Sequence, residues 1–230
     1  LAFGVTYVYA NLLGNEAGRA IYDGGVIIAS GGRVAAAGRR FSFADTAPVT
    51  AVVDVDATRL AQTRLSLETA AAGSQGEVDG ECVAIPFAPP ALAPRREPVA
   101  GDARDAWEAG SHVKEEEFSR AVALGLFDYL RKSRSRGFVV SASGGADSSA
   151  VACLVALAIR FAACEMPAAA VAARLGLAEP AGEATALRRL IHSVLVCVYQ
   201  STAHSGAVTR GAAQGLAESL GAEFHEFRSE

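Results

Sequence analysis

Lysine is nearly missing from this 230-residue chain: Lys114 and Lys132 are the only two, and the rest of the 21 basic residues are arginine. With 25 acidic residues the net charge is −4, so the sequence carries no electrostatic footprint for nucleic acid. Methionine occurs once, at Met166, and the chain begins at Leu1, so we read it as an internal piece of a longer protein. Cysteine is scarce as well. Cys82, Cys153, Cys164 and Cys197 form no CxxC pair, and no charged n-region followed by an apolar stretch and a small-residue cleavage site marks an export signal. A reducing cytoplasm is the compartment this implies. The longest apolar run, 150–163, is interrupted by Arg160 and falls short of the roughly 20 residues that cross a bilayer. It reads as a buried helix, and no membrane partner is expected. Low-complexity tracts, heptads and collagen repeats are absent, while 51% hydrophobic and 20% charged residues exclude a disordered chain. The length has room for one large or two small domains.

What is present divides into three stretches. Residues 1–67 hold short runs rich in Val, Ile and Tyr at 5–10, 25–29, 34–37 and 49–55, separated by turn residues at 11–18, 23–25 and 30–32. They predict β structure with a hairpin around Ser30 to Arg33, then a short helix over 57–67 capped by Asp56. Residues 68–110 lose all periodicity; five of the eight prolines fall between Pro86 and Pro98, and the stretch reads as an interdomain linker whose end Trp107, the single tryptophan, pins to a neighbouring surface. In 111–230, Glu115 to Glu117 open a run in which Phe118, Val122, Leu126 and Leu130 recur every four residues and Arg131-Lys132 close it, an amphipathic helix. A buried strand follows at 138–140, then a helix from Ser148 or Ser149 to about 163, helical segments at 168–175 and 183–190, a strand at 194–199, a helix at 209–220 and a strand at 222–227. Alternating strands and helices predict a doubly wound α/β sheet.

The sharpest motif is Ser143-Gly144-Gly145-Ala146-Asp147-Ser148, where strand becomes helix. Adjacent glycines let backbone N–H groups approach a polyphosphate with no Cβ in the way. The Ser143 and Ser148 hydroxyls can donate further hydrogen bonds, and a helix N-terminus favours anionic oxygen. A bare phosphate would repel Asp147, whereas a Mg²⁺ between them gives that carboxylate a role. The bland alternative is a Ser/Gly turn with Asp147 capping the helix. The motif is neither GxxxxGK[ST] nor GxGxxG.

SGGADS resembles the pyrophosphatase loop of the N-type ATP pyrophosphatases. The flanking strings EEEF at 115–118, GLFDYL at 125–130 and VCVYQSTAHS at 196–205 with Thr209-Arg210 resemble the glutamine-dependent NAD synthetase family in particular. YVYANLLGNE at 7–16 and IYDG at 21–24 resemble the later part of the nitrilase-like glutaminase domain that this family carries. The fold so implied is α/β: the C-terminal part of a nitrilase-like α/β sandwich over 1–67, the linker 68–110, and the start of a doubly wound parallel-sheet ATP-pyrophosphatase domain, adenine nucleotide alpha hydrolase-like, over 111–230. The implied reaction is ATP-dependent amidation of deamido-NAD: its carboxylate takes the α-phosphate of ATP, pyrophosphate leaves, and ammonia from glutamine hydrolysis displaces AMP. The implied ATP-binding residues are Ser141, Ala142, Ser143, Gly144, Gly145, Ala146, Asp147 and Ser148, with Asp147 on Mg²⁺. Tyr199, Gln200, Ser205 and Thr209 are implied nucleotide-lining residues. Deamido-NAD, glutamine and ATP are the implied small-molecule partners, and a homo-oligomer is the implied assembly.

The family's Glu-Lys-Cys glutaminase set would precede Leu1, and its second magnesium-binding acid and most deamido-NAD contacts would follow Glu230. No catalytic residue is therefore assigned within the chain, which is expected to make no NAD alone. Cys82 sits in the linker and reads as unreactive; Cys153, Cys164 and Cys197 read as small core residues. His204 follows a strand end, where open α/β sheets bind ligands. His112, His192 and His225 lack ligand spacing, and Arg39-Arg40 reads as a solvated face. Two other readings stay open: an ATP-pyrophosphatase amidotransferase of the GMP or asparagine synthetase type, and a noncatalytic nucleotide-binding or assembly module.

Overall fold

A computed structural model describes residues 4–16, 18–71, 86, 88, 104–180, 182, 185–202 and 206–228. In chain order its elements are strands β1 (Tyr7–Ala10), β2 (Leu13–Glu16), β3 (Ala20–Asp23), β4 (Val26–Ser30) and β5 (Arg33–Ala37), then helices α1 (Val55–Ala71) and α2 (Val113–Ser133). There follow β6 (Phe138–Ser141), α3 (Ala146–Glu165), α4 (Ala168–Leu175), α5 (Ala186–Val194), β7 (Leu195–Ser201), α6 (Ala207–Leu220) and β8 (Glu223–Arg228). Two compact units form: 1–10, 26–38 and 48–104 in one, 11–25, 39–47 and 105–230 in the other. They cut across the three linear stretches read from sequence, because hydrogen bonds fix residues 11–25 and 39–47 within the second unit.

The first unit holds an antiparallel sheet in the order β1-β4-β5, with Tyr7 opposite Ala29 and Ile27 opposite Ala37, and the predicted hairpin turns at Gly31-Gly32. The valine-rich run at 49–54 forms no strand. β-propensity is decided by tertiary context, and this segment is irregular instead, Val49 filling the space beside Gly38. Helix α1 starts two residues before the expected point, and its cap is Asp54: the Ala57 N–H donates to Asp54 Oδ1 at 2.9 Å.

In the second unit β6, β7 and β8 pair in parallel in that order, with Phe138 opposite Leu195 and Val196 opposite Glu223. Helices α3 and α6, which connect the parallel strands, touch each other against the sheet. Phe127, Leu130, Val155, Ile159, Leu190, Ile191 and Leu195 form the centre of the core, each at most 2% exposed. Helix α3 is apolar and long enough by composition to cross a membrane. Its hydrophobicity serves packing: Ala152, Val155, Ala156, Ile159 and Ala162 are buried along one side, and α2 lies along it. The thiol of Cys197 is buried and pushed up by that burial and by Cys153 nearby, whereas Cys164 is exposed, against the expectation of a core residue.

Two expectations fail for one physical reason. Residues 11–18 were expected as a turn, yet Leu13–Glu16 is a strand paired with Ala20–Asp23. Gly14 adopts φ +99°, and its close approach leaves a Cβ no room beside the Asp128 carboxylate. That carboxylate accepts the Asn15 N–H at 2.9 Å and pairs with Arg131 at 2.8 Å and Lys132 at 3.1 Å; the Lys132 ammonium also donates to the Asn15 carbonyl, and Asn15 Nδ2 to the Gly125 carbonyl at 3.1 Å. Contacts to α2 thus override the local preference of a Gly-Asn pair. Likewise Arg40 is not on a solvated face. It donates to Glu108 and Glu117, each at 2.9 Å, and lies 5.0 Å from the centre of the Trp107 ring, which packs on the core from the 3₁₀ turn Ala106–Ala109.

Asp128 is 4% exposed. Burial raises its carboxyl, but the Asn15 N–H, Lys132 and Arg131 together outweigh burial and hold it below the ordinary value. A depressed folded-state value stabilises the fold fully above the unfolded carboxyl range, and the contribution disappears as pH falls through the lower folded value. Asp128→Asn should therefore cost about 2 kcal/mol at neutral pH. In chemical denaturation across a pH series, the difference from the unaltered chain should shrink below about pH 4.

Candidate functional site at the β6–α3 junction

Strand β6 is a short apolar run paired with β7, and the ladder extends one residue past its end, the Ala142 N–H donating to the Val198 carbonyl at 2.8 Å. Ala142 is 1% exposed, so it packs into the core. The chain then turns through Ser143, Gly144 and Gly145 into α3. Gly144 has φ +77°, and a Cβ there would collide with the Thr209 carbonyl in the first turn of α6. The loop is thereby held against the next helix.

Helix α3 begins at Ala146, earlier than expected, with Gly145 as an N-cap that has no side chain to accept its first N–H groups. Those groups lack intrahelical acceptors and carry the positive end of the helix dipole, about half a unit charge. The hydroxyls close the loop on itself. Ser148 Oγ donates to the Gly145 carbonyl at 3.2 Å and lies 3.2 Å from Ser143 Oγ, while Ser149 Oγ donates to the same carbonyl at 2.8 Å. Ser149, read from the sequence only as a helix start, belongs to this network because its hydroxyl reaches the i−4 carbonyl in the first turn. Asp147 does not cap the helix. It is exposed and makes no hydrogen bond or ion pair among the described residues.

Of the other implied residues, Tyr199 and Thr209 are brought together, hydroxyl to hydroxyl at 2.9 Å, and Thr209 Oγ1 also donates to the Gly206 carbonyl at 3.0 Å. Tyr199 is 4% exposed and supports the α6 start from beneath. Gln200 is exposed near the end of β7. Ser205 and His204 lie outside the described residues, as does Cys82. Helix α6 also starts without a side-chain cap, at Gly206. Two uncapped helix starts therefore meet beyond the carboxyl ends of neighbouring parallel strands, the place where open α/β sheets bind ligands.

The donor set bears on the metal. Among the described residues no three His, Cys, Asp or Glu side chains cluster as a metal cage. A hard cation here would have one carboxylate, Asp147, and would need its remaining ligands from water and phosphate oxygen, the habit of Mg²⁺.

A protein-family model described as NAD synthase matches residues 118–182. The glutamine-dependent NAD(+) synthetase of Oryza sativa subsp. indica is 34% identical over 98% of this chain, and that of Homo sapiens is 36% identical over 66% of it. Among solved structures, a glutamine-dependent NAD(+) synthetase from Cytophaga hutchinsonii superposes with TM-score 0.67 at 33% identity over 98% of this chain. One from Acinetobacter baumannii, in complex with ADP, gives TM-score 0.51 at 13% identity over the same share, a likeness of fold alone. This chain spans 30% of the length of the rice protein and of the Cytophaga chain, and 21% of the human protein.

The Gly144 contact predicts a sharp contrast between neighbouring glycines. Gly144→Ala should destabilise the chain by about 2 kcal/mol, combining left-handed strain with a backbone collision. At Gly145 the backbone is extended and a Cβ meets only Ser143 Oγ, at 3.3 Å. Gly145→Ala should cost about 1 kcal/mol or less in the same denaturation experiment.

Proposed function

We propose that this chain, which belongs to the glutamine-dependent NAD(+) synthetase family, contributes the ATP-binding loop of an enzyme that amidates deamido-NAD. The carrying observation is the β6–α3 junction: N–H groups at residues 146–148 with no side-chain cap, a glycine turn held against Thr209, and an unpaired Asp147 carboxylate beside them.

In this reading the N–H groups of the α3 start and the Ser143 and Ser148 hydroxyls bind the phosphate chain of ATP. The hydroxyls exchange their present partners, the Gly145 carbonyl and each other, for phosphate oxygen. Gly144 keeps the turn close enough for the backbone to reach, and Thr209, fixed by Tyr199, keeps Gly144 in place. The carboxylate of deamido-NAD forms a bond to the α-phosphorus as the α–β bridging bond breaks, and pyrophosphate departs with that electron pair. Ammonia then forms the amide at the acyl carbon, AMP departs and a proton is lost. Negative charge grows on the departing pyrophosphate, so fixed N–H dipoles aimed at it stabilise the transition state more than the ground state. Magnesium, when bound, supplies neutralisation of the phosphate charge, and Asp147 would hold it.

Further parts of the reading follow the family. The parallel sheet of residues 138–228 would continue into the doubly wound ATP-pyrophosphatase fold. The β1-β4-β5 sheet with α1 would belong to a nitrilase-like glutaminase sandwich, and ammonia would come from glutamine hydrolysed there.

Calorimetry of the 230-residue chain with ATP tests the loop directly. Affinity should rise at least tenfold when Mg²⁺ replaces EDTA, and Asp147→Asn should remove most of that gain while leaving the metal-free affinity within about threefold. Undetectable ATP binding, or an unchanged Mg²⁺ gain in Asp147→Asn, contradicts the assignment.

A further inference from the structure

At the opposite end of β6 from the phosphate loop, the C-terminal ends of α2 and α4 enclose a cavity of about 400 Å³. Four arginines line it: Arg131, Arg134, Arg136 and Arg174. In a chain of net charge −4 this is a concentration of one sign. Two of the four are neutralised. Arg131 pairs with Asp128 at 2.8 Å and Asp45 at 3.3 Å, and Arg174 pairs with the same Asp45 at 2.7 Å and donates to the Phe43 carbonyl at 2.7 Å. Arg134 and Arg136 have neither ion pair nor hydrogen bond among the described residues, and both are exposed.

The helix ends explain part of this. Cations suit the carbonyl ends of helices, and Arg131 and Arg174 occupy the last turns of α2 and α4. Arg134 and Arg136 lie beyond the helix. Arg134 holds a left-handed conformation, φ +56°, at a C-cap position that glycine fills at no steric cost. Two unmatched guanidinium groups therefore face a hollow whose other two arginines are already fixed in place by Asp45 and Asp128. Ser135, between them, is not a free donor: Ser133 Oγ gives its one proton to the Tyr129 carbonyl at 2.6 Å, so the Ser135 hydroxyl, 2.8 Å away, donates to Ser133.

We propose that this cavity is a second anion site, taking a small molecule with at least two negative charges on phosphate oxygens. Guanidinium forks match phosphate oxygens two at a time. The volume falls within the range of about 300 to 1,000 Å³ usual for small-molecule sites, which favours a compact ligand over an acidic polypeptide strand. The site is separate from the ATP loop: four-residue β6 lies between them, roughly 13 Å at about 3.3 Å per residue. Arg134 and Arg136 supply the free charge, Arg131 and Arg174 the fixed rim.

Amide chemical-shift mapping of the ¹⁵N-labelled 230-residue chain in EDTA tests the site, with inorganic pyrophosphate and AMP as separate probes. At least one should shift amides of 131–137 and 173–178 saturably; the probe that does so identifies the source as free phosphate or nucleotide. Raising ionic strength should weaken the effect. R134A/R136A should weaken it at least tenfold while the 142–149 amides respond to ATP as before, and R134K/R136K should retain part of the affinity. The proposal is overturned if neither probe moves these amides or if R134A/R136A binds as the unaltered chain does. It is equally overturned if only a polyglutamate peptide moves them, which would make the surface a docking face for acidic protein.

Discussion

A carboxylate at 4% exposure has few acceptable arrangements, and Asp128 dictates much of what surrounds it. Its charge cannot leave water uncompensated, so Arg131 and Lys132 one turn further along α2 turn back to it. The Asn15 N–H completes the set, and that last bond requires a strand edge to pass directly over α2, with a glycine at position 14 where a Cβ would strike the carboxylate. Residues 11–25 are thereby tied to the second unit rather than to the sheet whose strands flank them in sequence. Arg131 extends the same network to Asp45, Asp45 to Arg174 on α4, and Arg174 to the backbone at Phe43. One charge thus registers a strand pair, the irregular segment 39–47 and two helices against each other.

That registration reaches the β6–α3 loop through packing. Helix α2 lies along α3, and α3 starts at the loop. The loop's own geometry rests on a different constraint, the absence of any atom between Gly144 and the Thr209 carbonyl. Because Thr209 is in turn bonded to Tyr199, a buried residue of β7, the site is braced by the sheet and two helices rather than by mobile side chains. Its chemistry is mostly backbone. N–H groups and a helix dipole are present before any ligand arrives, so they need little reorganisation when charge develops.

The parallel half of the fold was legible because its signals are local and agree: acids opening and bases closing α2, short apolar strands, Gly221 ending α6 at φ +82°. The buried face of α2 was misread, since of the stripe 118/122/126/130 only Leu130 is buried, beside Ala123, Leu124 and Phe127, and Phe118 is 62% exposed. The motif at 143–148 was legible for the same reason, since consecutive glycines between a strand and a helix have few other uses. The sequence misled where a distant group decided the outcome. Gly14 and Asn15 read as a turn until Asp128, more than a hundred residues away, claims the Asn15 N–H. Arg39-Arg40 reads as surface until Trp107, Glu108 and Glu117 surround Arg40. The valines at 49–54 have strand composition but join no ladder. The bracing of Gly144 by Thr209 was likewise invisible, because the two meet only once β6 and β7 are neighbours.

We propose that the α3 start holds the phosphates of ATP, with Asp147 on the accompanying cation. A crystal structure of the chain with magnesium and a non-hydrolysable ATP analogue tests it most directly. The account predicts phosphate oxygens within hydrogen-bond distance of the N–H groups of residues 145–148 and a cation bridging Asp147 to the phosphates, with the backbone at Gly144 unmoved. A phosphate chain bound away from this turn, or Asp147 directed away from an ordered cation, would contradict it.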